Sequence, residues 1–160
     1  ISTWSVVQRT PSVRLRNSRL APDNFLKDIM LNVQVVSPES VSYTGEASMV
    51  IARTVDEGDI AFQPGHVAFI GTLAVWSVDV IKDGGERDTF AVHRGFVQVS
   101  GDDITILSDV SESKDAIDTS RAQKALEAAD AALGADADDA GAAADKARAE
   151  LRLRVASGES

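Results

Sequence analysis

The chain has 160 residues, of which 44% are hydrophobic and 26% charged, and its formal net charge is -9. This length and composition are ordinary for one globular domain with a small appendage. The acidic balance argues against a nucleic-acid partner, because phosphate contacts require clustered Lys and Arg. The absence of cysteine excludes disulfides and thiolate metal sites. No apolar run approaches the ~18 residues that a membrane-spanning helix needs, so membrane association is expected only through a partner protein.

Residues 1–29 differ in composition from the rest of the chain. Four arginines, interspersed with Ser and Thr, precede the first acidic residue: Arg9, Arg14, Arg16 and Arg19. Such a composition is typical of transit peptides, but position 1 is not Met, and Met30 stands just before the first strand pattern. We expect residues 1–29 to be an N-terminal extension, disordered or non-native, outside the packed domain. Its origin is either read-through upstream of the true start, a tag, or an organellar presequence.

Apolar and polar residues alternate from Leu31 to Leu107, which is the pattern of half-buried strands. The alternation predicts nine short strands, at residues 31–36, 41–45, 48–53, 60–62, 67–73, 75–81, 89–93, 96–99 and 104–107. Turns that contain Gly or Pro separate several of these strands. Closely spaced strands without a helical period between them predict an antiparallel sandwich or barrel, which we assign to residues 30–112.

Residues 113–160 form the second predicted domain, a helical hairpin. Apolar residues at helical spacing define one face of each helix: Ala122, Ala125, Leu126, Ala129, Ala132 and Leu133 in the first, and Ala144, Ala147, Leu151 and Val155 in the second. Burial of apolar surface stabilises a contact by about 25 cal/mol per Å², and small side chains bury little area. The hairpin should therefore dock weakly and be able to detach from the sandwich. Strands followed by helices make the predicted fold class α+β.

No catalytic or metal-binding group of residues can be assembled from the sequence. The two histidines, His66 and His93, lack metal-ligand spacing, and no Gly-rich phosphate loop precedes a helix. His66 is expected in a turn and His93 in a strand, both without catalytic roles, and Trp76 is expected to pack within the sheet. The sequence therefore predicts no catalytic residue and no metal ligand, so the chain is not expected to be an enzyme.

Four segments of the strand region follow one another in a specific order. They read Leu-Asn-Val-Gln-Val-Val-Ser-Pro-Glu at 31–39, Gly-Asp-Ile-Ala-Phe-Gln-Pro-Gly-His at 58–66, Ala-Val-His-Arg-Gly-Phe-Val-Gln-Val at 91–99 and Ile-Thr-Ile-Leu-Ser-Asp at 104–109. In this order, and with the hairpin after them, they resemble the epsilon subunit of bacterial F-type, proton-translocating ATP synthases over residues 30–155. Ala61, Phe62, Gln63 and Arg94 depart from the family's usual Gly, Ile, Leu and Gly.

The resemblance implies a non-catalytic central-stalk (rotor) subunit of the ATP synthase. Family members have a two-layer antiparallel β-sandwich of about ten strands followed by a C-terminal α-helical hairpin. Their sandwich binds the gamma subunit and rests on the c-ring, which implies an interface loop at Pro64, Gly65 and His66. In many bacterial members the hairpin extends along gamma to the catalytic alpha and beta subunits and inhibits ATP hydrolysis. The implied location is peripheral, at the cytoplasmic face of the bacterial plasma membrane, with membrane contact only through the complex.

The segment Ile-Asp-Thr-Ser-Arg-Ala at 117–122 matches the Ile/Leu-Asp-x-x-Arg-Ala motif with which some bacterial members bind ATP. The resemblance implies that no cofactor is required and that ATP is a regulatory ligand of the following residues: Glu112, Ile117, Asp118, Arg121, Ala122, Arg148 and Arg152. Arg148 and Arg152 lie four positions apart, on one helix face, and would hold the phosphates. The basic position seven residues after the motif arginine is Ala128 here, so one phosphate contact is missing. A purely structural role is the alternative, with Asp118 as a helix N-cap and Arg121 exposed.

Two other functions fit parts of this pattern. A free-standing ATP-sensing module, built from the β-sandwich and the hairpin, would be a monomer with tight ATP affinity and no stalk partner. A small β-sandwich enzyme is disfavoured, because the sequence offers no nucleophile with a partner base.

Overall fold

The computed structural model of the protein describes residues 30–159. The predicted N-terminal extension, residues 1–29, lies outside these residues. The described part contains seven strands: β1 (Leu31–Val36), β2 (Val41–Ala47), β3 (Met49–Thr54), β4 (Gly58–Phe62), β5 (Phe69–Ile81), β6 (Arg87–Ser100) and β7 (Asp103–Ser113). A short 3-10 turn (Lys114–Ala116) and two helices follow, α1 (Thr119–Ala135) and α2 (Ala140–Ser157). This order of strands and helices confirms the predicted α+β class.

The seven strands form one hydrogen-bonded sheet in the order β2-β1-β7-β6-β5-β3-β4. Neighbouring strands are antiparallel, with one difference from the prediction: β1 and β7 run parallel, with Val33 opposite Ile104. These two strands are the first and the last in the chain, although they are neighbours within the sheet. No hairpin turn therefore constrains their relative direction. The parallel pair joins the two ends of the strand region.

The sheet folds over to enclose a single core. Tyr43 of β2 and Phe90 of β6 have ring centroids 5.7 Å apart, although two strands lie between β2 and β6 in the hydrogen-bonding order. A flat sheet would hold these two strands about 14 Å apart, at ~4.8 Å for each strand spacing. The sheet therefore closes into two layers, which confirms the predicted sandwich. All seven strands contribute to the core: Leu31, Val33, Val35, Ala47, Val50, Ala52, Phe62, Leu73, Val78, Val80, Phe90, Val92, Val97, Val99, Ile104 and Ile106.

Two pairs of predicted short strands are each one long, bent strand, so the structure has seven strands where about ten were expected. The predicted strands at 67–73 and 75–81 form β5, and those at 89–93 and 96–99 form β6. In β6 the core residues Val92 and Val97 are an odd number of positions apart, so the strand changes the face that it presents to the core. The change occurs at Arg94 and Gly95, whose φ angles are 62° and 129°. Such positive φ values bend a strand without ending it.

The two helices form the predicted hairpin, in which α2 packs on β5 and β6 and α1 packs against α2. The contact with the sheet is a small apolar cluster: Ala91, Ile117, Leu151 and Val155, flanked by Val75 and Ala156. From Phe90 to His93 four consecutive residues of β6 are buried, because α2 covers the face that would otherwise be exposed. The hairpin is thus seated on the outer face of the sandwich through few apolar side chains.

Aspartate side chains cap the start of both helices. Asp118 Oδ1 accepts a hydrogen bond from Arg121 N at 2.9 Å, and Asp139 Oδ1 accepts hydrogen bonds from the backbone of Gly141 and Ala142. Each bond satisfies a backbone N–H that has no partner within the helix. Within residues 30–159, no helix is long and apolar enough to cross a membrane.

Candidate functional site

A groove of about 560 Å³ lies between α1 and α2. Only alanines line it on α1: Ala125, Ala128, Ala129 and Ala132. On the α2 side it is lined by Arg148 and Arg152, together with Asp139 and Asp145 at its acidic end. The volume falls within the ~300–1,000 Å³ that small-molecule sites usually have. The two arginines predicted to share a helix face therefore meet in one cavity.

Glu112 contacts one of the groove's arginines, Arg152, from the sheet. It lies near the end of β7, and its Oε2 accepts a hydrogen bond of 2.5 Å from Arg152 Nε. The side chains of the two residues are 26% and 28% exposed, so the ion pair is largely withdrawn from solvent. A charge-assisted bond of this kind is stronger than a neutral one. It joins α2 to the sandwich and brings together two residues that the sequence places far apart.

Arg148 forms an ion pair within its own helix, with Asp145 one turn earlier. Both arginines of the groove are therefore already paired with carboxylates. A phosphate that entered the groove would have to replace Asp145 and Glu112 as the acceptors of these charge-assisted bonds.

The motif residues at the start of α1 have mainly structural contacts. Asp118 is the helix N-cap, Ile117 belongs to the apolar cluster under α2, and Ala122 is 2% exposed. Arg121 is exposed and lies one turn before Ala125, on the same face of α1 as the groove. The structure therefore gathers Glu112, Arg148 and Arg152, and it leaves Asp118 and Arg121 beyond the groove's lining residues.

His93 is a member of this region that sequence reasoning missed. It is 3% exposed, and its Nε2 lies 3.7 Å from Glu112 Oε2, the oxygen that also binds Arg152. Neither ring nitrogen has a hydrogen-bond partner among residues 30–159. Burial and the nearby Arg152 lower the pKa of His93 to about 4, against a partial offset from Glu112. The imidazole is thus held neutral beneath α2.

A second contact between the hairpin and the sandwich centres on Trp76 of β5. The guanidinium carbons of Arg53 and Arg154 each lie 3.6 Å from the centre of the indole ring. Two groups this close to one ring centre must occupy opposite faces of it. Arg53 comes from β3 and is held by Asp59 through two hydrogen bonds of 2.7 and 2.6 Å, whereas Arg154 comes from α2. The stack therefore joins α2 to strands β3 and β5 through cation–π interactions.

The predicted interface loop is a tight turn after β4. His66 N donates a hydrogen bond of 3.0 Å to Gln63 O, and Gly65 has a φ of 80°. Pro64 before a glycine of positive φ is the signature of a type II turn. The His66 ring packs at 5.0 Å from that of Phe62. The turn is anchored from inside the core, while the residue after it, Val67, is 74% exposed.

Val36, Leu107 and Phe96 form an apolar row on the outer surface of the sandwich. Phe96 lies opposite Leu107, and Leu107 lies opposite Val36, on adjacent strands. Phe96 is 52% exposed and Leu107 is 47% exposed. With Pro38 and Gly95 the row lines an open groove of about 350 Å³. This row is a candidate contact surface for another protein.

Comparison with known proteins identifies the family to which this fold belongs. Residues 30–114 match the family model described as ATP synthase, Delta/Epsilon chain, beta-sandwich domain. The ATP synthase epsilon chain of Streptomyces griseus is 37% identical over 124 residues, which span 78% of this chain and 93% of that one. The epsilon chain of Brevibacillus brevis is 39% identical over 97 residues, or 61% of this chain and 73% of that one.

A solved structure shares the fold. A chain of the Euglena gracilis mitochondrial ATP synthase superposes with a TM-score of 0.60 at 21% identity, covering 81% of this chain and 78% of its own length. The resemblance inferred from the four sequence segments is confirmed by the family model and by the relatives at 35–39% identity. The family model matches more than half of the chain, and the relatives are ATP synthase epsilon chains. The protein therefore belongs to the ATP synthase epsilon chain family.

Proposed function

We propose that the protein is a non-catalytic subunit of the central stalk of a proton-transporting ATP synthase, in which the sandwich couples the gamma subunit to the c-ring. The observation that carries the proposal is the apolar row of Val36, Leu107 and Phe96 on a sandwich of the epsilon family. Exposed apolar side chains on adjacent strands are suited to burial against a partner. The loop Pro64–His66 supplies a second, separate surface for the c-ring. The protein would then be peripheral, at the cytoplasmic face of the bacterial plasma membrane, and reach the membrane only through the complex.

Co-purification with separately tagged gamma subunit and detergent-solubilised c-ring tests this assignment. We expect Phe96→Asp to lose gamma and Val67→Asp to weaken the contact with the c-ring, because each places a charge in an apolar contact. Val55→Asp is the matched control, since Val55 is 63% exposed on the turn after β3 and lies outside both surfaces. If the unaltered protein recovers neither partner, the stalk assignment is wrong; equal recovery of all three variants would place the contacts elsewhere.

The proposal extends to a regulatory hairpin that leaves the sandwich and inhibits ATP hydrolysis at the catalytic alpha and beta subunits. Its seat consists of the small apolar cluster around Ala91, the Glu112–Arg152 ion pair and the stack of Arg154 on Trp76. A two-state element needs two arrangements within a few kcal/mol of each other. A seat with so few apolar side chains is compatible with that requirement.

ATP is proposed as the regulatory ligand of the groove between α1 and α2. Arg148 and Arg152 provide two guanidinium groups on one wall, which suits phosphate oxygens. Bound nucleotide would bridge the groove and favour the docked hairpin, because it binds that arrangement alone. Arg121 would approach the nucleotide from the open end of the groove.

Calorimetric titration of the isolated protein with ATP is the direct measurement. Arg148→Ala should weaken binding roughly tenfold or more, because a hydrogen bond to a charged group contributes about 1.5–3 kcal/mol. Arg121→Ala tests the motif arginine in the same way. Lys124→Ala serves as the matched control, since Lys124 is an exposed cation of α1 outside the groove. No heat at millimolar nucleotide would end the proposal of an ATP site.

The alternative of a free-standing ATP-sensing module is not favoured. The family match covers the sandwich, residues 30–114, rather than the hairpin that carries the nucleotide motif. The sandwich also exposes an apolar row for which a monomeric sensor has no use.

A further inference from the structure

His93 occupies an unusual position for a titratable group. It lies in the segment of β6 that α2 covers, with 3% of its surface exposed, and both ring nitrogens lack a hydrogen-bond partner among residues 30–159. A buried imidazole without a partner is stable there only in its neutral form, because an unpaired charge in such a place is costly. Protonation of the ring therefore requires a rearrangement of the groups around it.

Three charged groups act on the imidazole. Glu112 approaches it from β7, and Arg148 and Arg152 approach it from α2. On β5 the buried Asp79 lies at the level of Thr89, four residues along β6, and it accepts hydrogen bonds from Thr89 and Arg87 instead. Both arginines disfavour a proton on His93, although Arg148 is paired with Asp145 on the same helix, and only Glu112 favours it. A proton on His93 would therefore repel the helix that covers it.

His93 and Arg152 also share one acceptor. Glu112 Oε2 lies 2.5 Å from Arg152 Nε and 3.7 Å from His93 Nε2. A protonated imidazole becomes a donor at both nitrogens and competes for this oxygen. If His93 takes the oxygen, Arg152 loses the bond that joins α2 to β7. Charging one ring therefore adds a repulsion and removes an attachment at the same place.

We propose that His93 is a proton-controlled release for the hairpin: protonation of the ring detaches α2 from the sandwich, so acidification shifts the hairpin toward its undocked state. The inference rests on the proposed mobility of the hairpin and adds the signal to which that mobility responds. It shares two residues with the nucleotide groove, Arg148 and Arg152, but does not require bound nucleotide.

The expected pH range follows from the two environments of the ring. In the docked protein burial and Arg152 hold the pKa of His93 at about 4, and in the undocked protein the exposed ring returns to its ordinary value of ~6.5. The undocked state thus binds the proton more tightly. Docking is at full strength above pH ~6.5 and is lost progressively as the pH falls toward ~4. Between pH 8 and 5.5 the ratio of undocked to docked protein should rise roughly tenfold.

Thiol protection in the full chain measures this ratio. The chain has no cysteine, so Leu151→Cys introduces a single thiol in the apolar cluster under α2, where Leu151 is 1% exposed. A dithiodipyridine reagent, which reacts with thiols at acidic pH, modifies it only when the helix leaves the sheet. Ala147→Cys, at an exposed position of the same helix, gives the intrinsic reaction rate at each pH. We expect the ratio of the two rates to rise roughly tenfold from pH 8 to 5.5.

The two histidines provide matched variants. His93→Gln, whose amide does not titrate, should leave the rate ratio flat over this range, whereas His66→Gln should keep the full rise. A flat ratio in the cysteine variants that keep both histidines would by itself overturn the proposal. An undiminished rise in His93→Gln, with its strand and helix signals unchanged by circular dichroism, would overturn it as well. The measurement uses the isolated chain, so its failure leaves the assembly with gamma and the c-ring untouched.

Discussion

Replacing Gly95 by alanine is expected to lower the free energy of unfolding by roughly 3–5 kcal/mol. Gly95 has a φ of 129°, and a Cβ built on it would lie 1.9 Å from the carbonyl oxygen of Leu107. The substitution therefore combines backbone strain with a clash against the main chain of β7, which cannot move aside without breaking the β6–β7 pairing. Because small domains are stable by only about 5–15 kcal/mol, the variant should be marginally folded. Equilibrium unfolding in urea, followed by circular dichroism, measures the loss.

Gly84→Ala separates the two causes. Gly84 also has a positive φ, of 90°, but a Cβ there would meet nothing within 4 Å. Only the conformational strain remains, so we expect a loss of about 1–2 kcal/mol. Equal losses for the two variants would contradict the account in which the close approach of β7 makes Gly95 indispensable.

Removing the residues after Asp115 is expected to raise ATP hydrolysis by the assembled enzyme several-fold while assembly stays intact. The deletion takes away α1 and α2 but no strand, so the sandwich and its apolar row remain. A preference of about 1.4 kcal/mol for an extended, inhibitory hairpin would keep roughly ten enzymes inhibited for each active one. Hydrolysis rates of complexes that contain the full-length or the shortened chain measure the effect. Unchanged hydrolysis would show that the hairpin does not inhibit.

A hairpin held in its docked position is the matched control for the deletion. Glu112→Cys and Arg152→Cys place thiols on β7 and α2 at the site of the ion pair, and a short reducible reagent can join them. The locked enzyme should hydrolyse ATP as fast as the truncated one, and reduction should restore inhibition. A locked enzyme that stayed inhibited would mean that inhibition does not require the hairpin to leave the sandwich.

The number of strands could not be predicted because one sequence signal has two structural meanings. The sequence pattern places a turn at Arg94-Gly95, between the predicted strands 89–93 and 96–99, because glycine is common in turns, although an isolated glycine within a strand pattern also marks a bulge. In the structure both residues have positive φ values, yet β6 continues through them as a bent strand. A turn and a bend require the same local backbone freedom. Only the pairing with β5 and β7, which is not a local property, distinguishes them.

The hairpin could be predicted as an element but not in the detail of its packing. Ala125 and Ala147 were placed on the apolar faces, and both are exposed; Ala142 and Ala149 are buried instead. Both helices are so rich in alanine that the contrast between their faces is weak, and the period alone leaves the buried side undecided. Leu151 and Val155, the larger apolar residues, were placed correctly.

The candidate site was predictable where helical spacing governs it. The four-residue spacing of Arg148 and Arg152 predicted that they share a face, and both line the groove. The pairing of Arg152 with Glu112 depends on where α2 docks, and only the family resemblance pointed to Glu112. The burial of His93 depends on the same docking. Strand alternation alone does not reveal which face of β6 will be covered.

The parallel pairing of β1 with β7 has a consequence for how the protein is made. The first strand in the chain, β1, can pair early with β2, but its other edge stays unpaired until the last strand, β7, has been synthesised as far as Ser113. Closing such a distant pair has a large entropic cost, which slows folding relative to local hairpins. The growing chain must therefore carry an incomplete sandwich, with exposed strand edges, on the ribosome. The helices emerge last, onto a sheet that is already able to receive them.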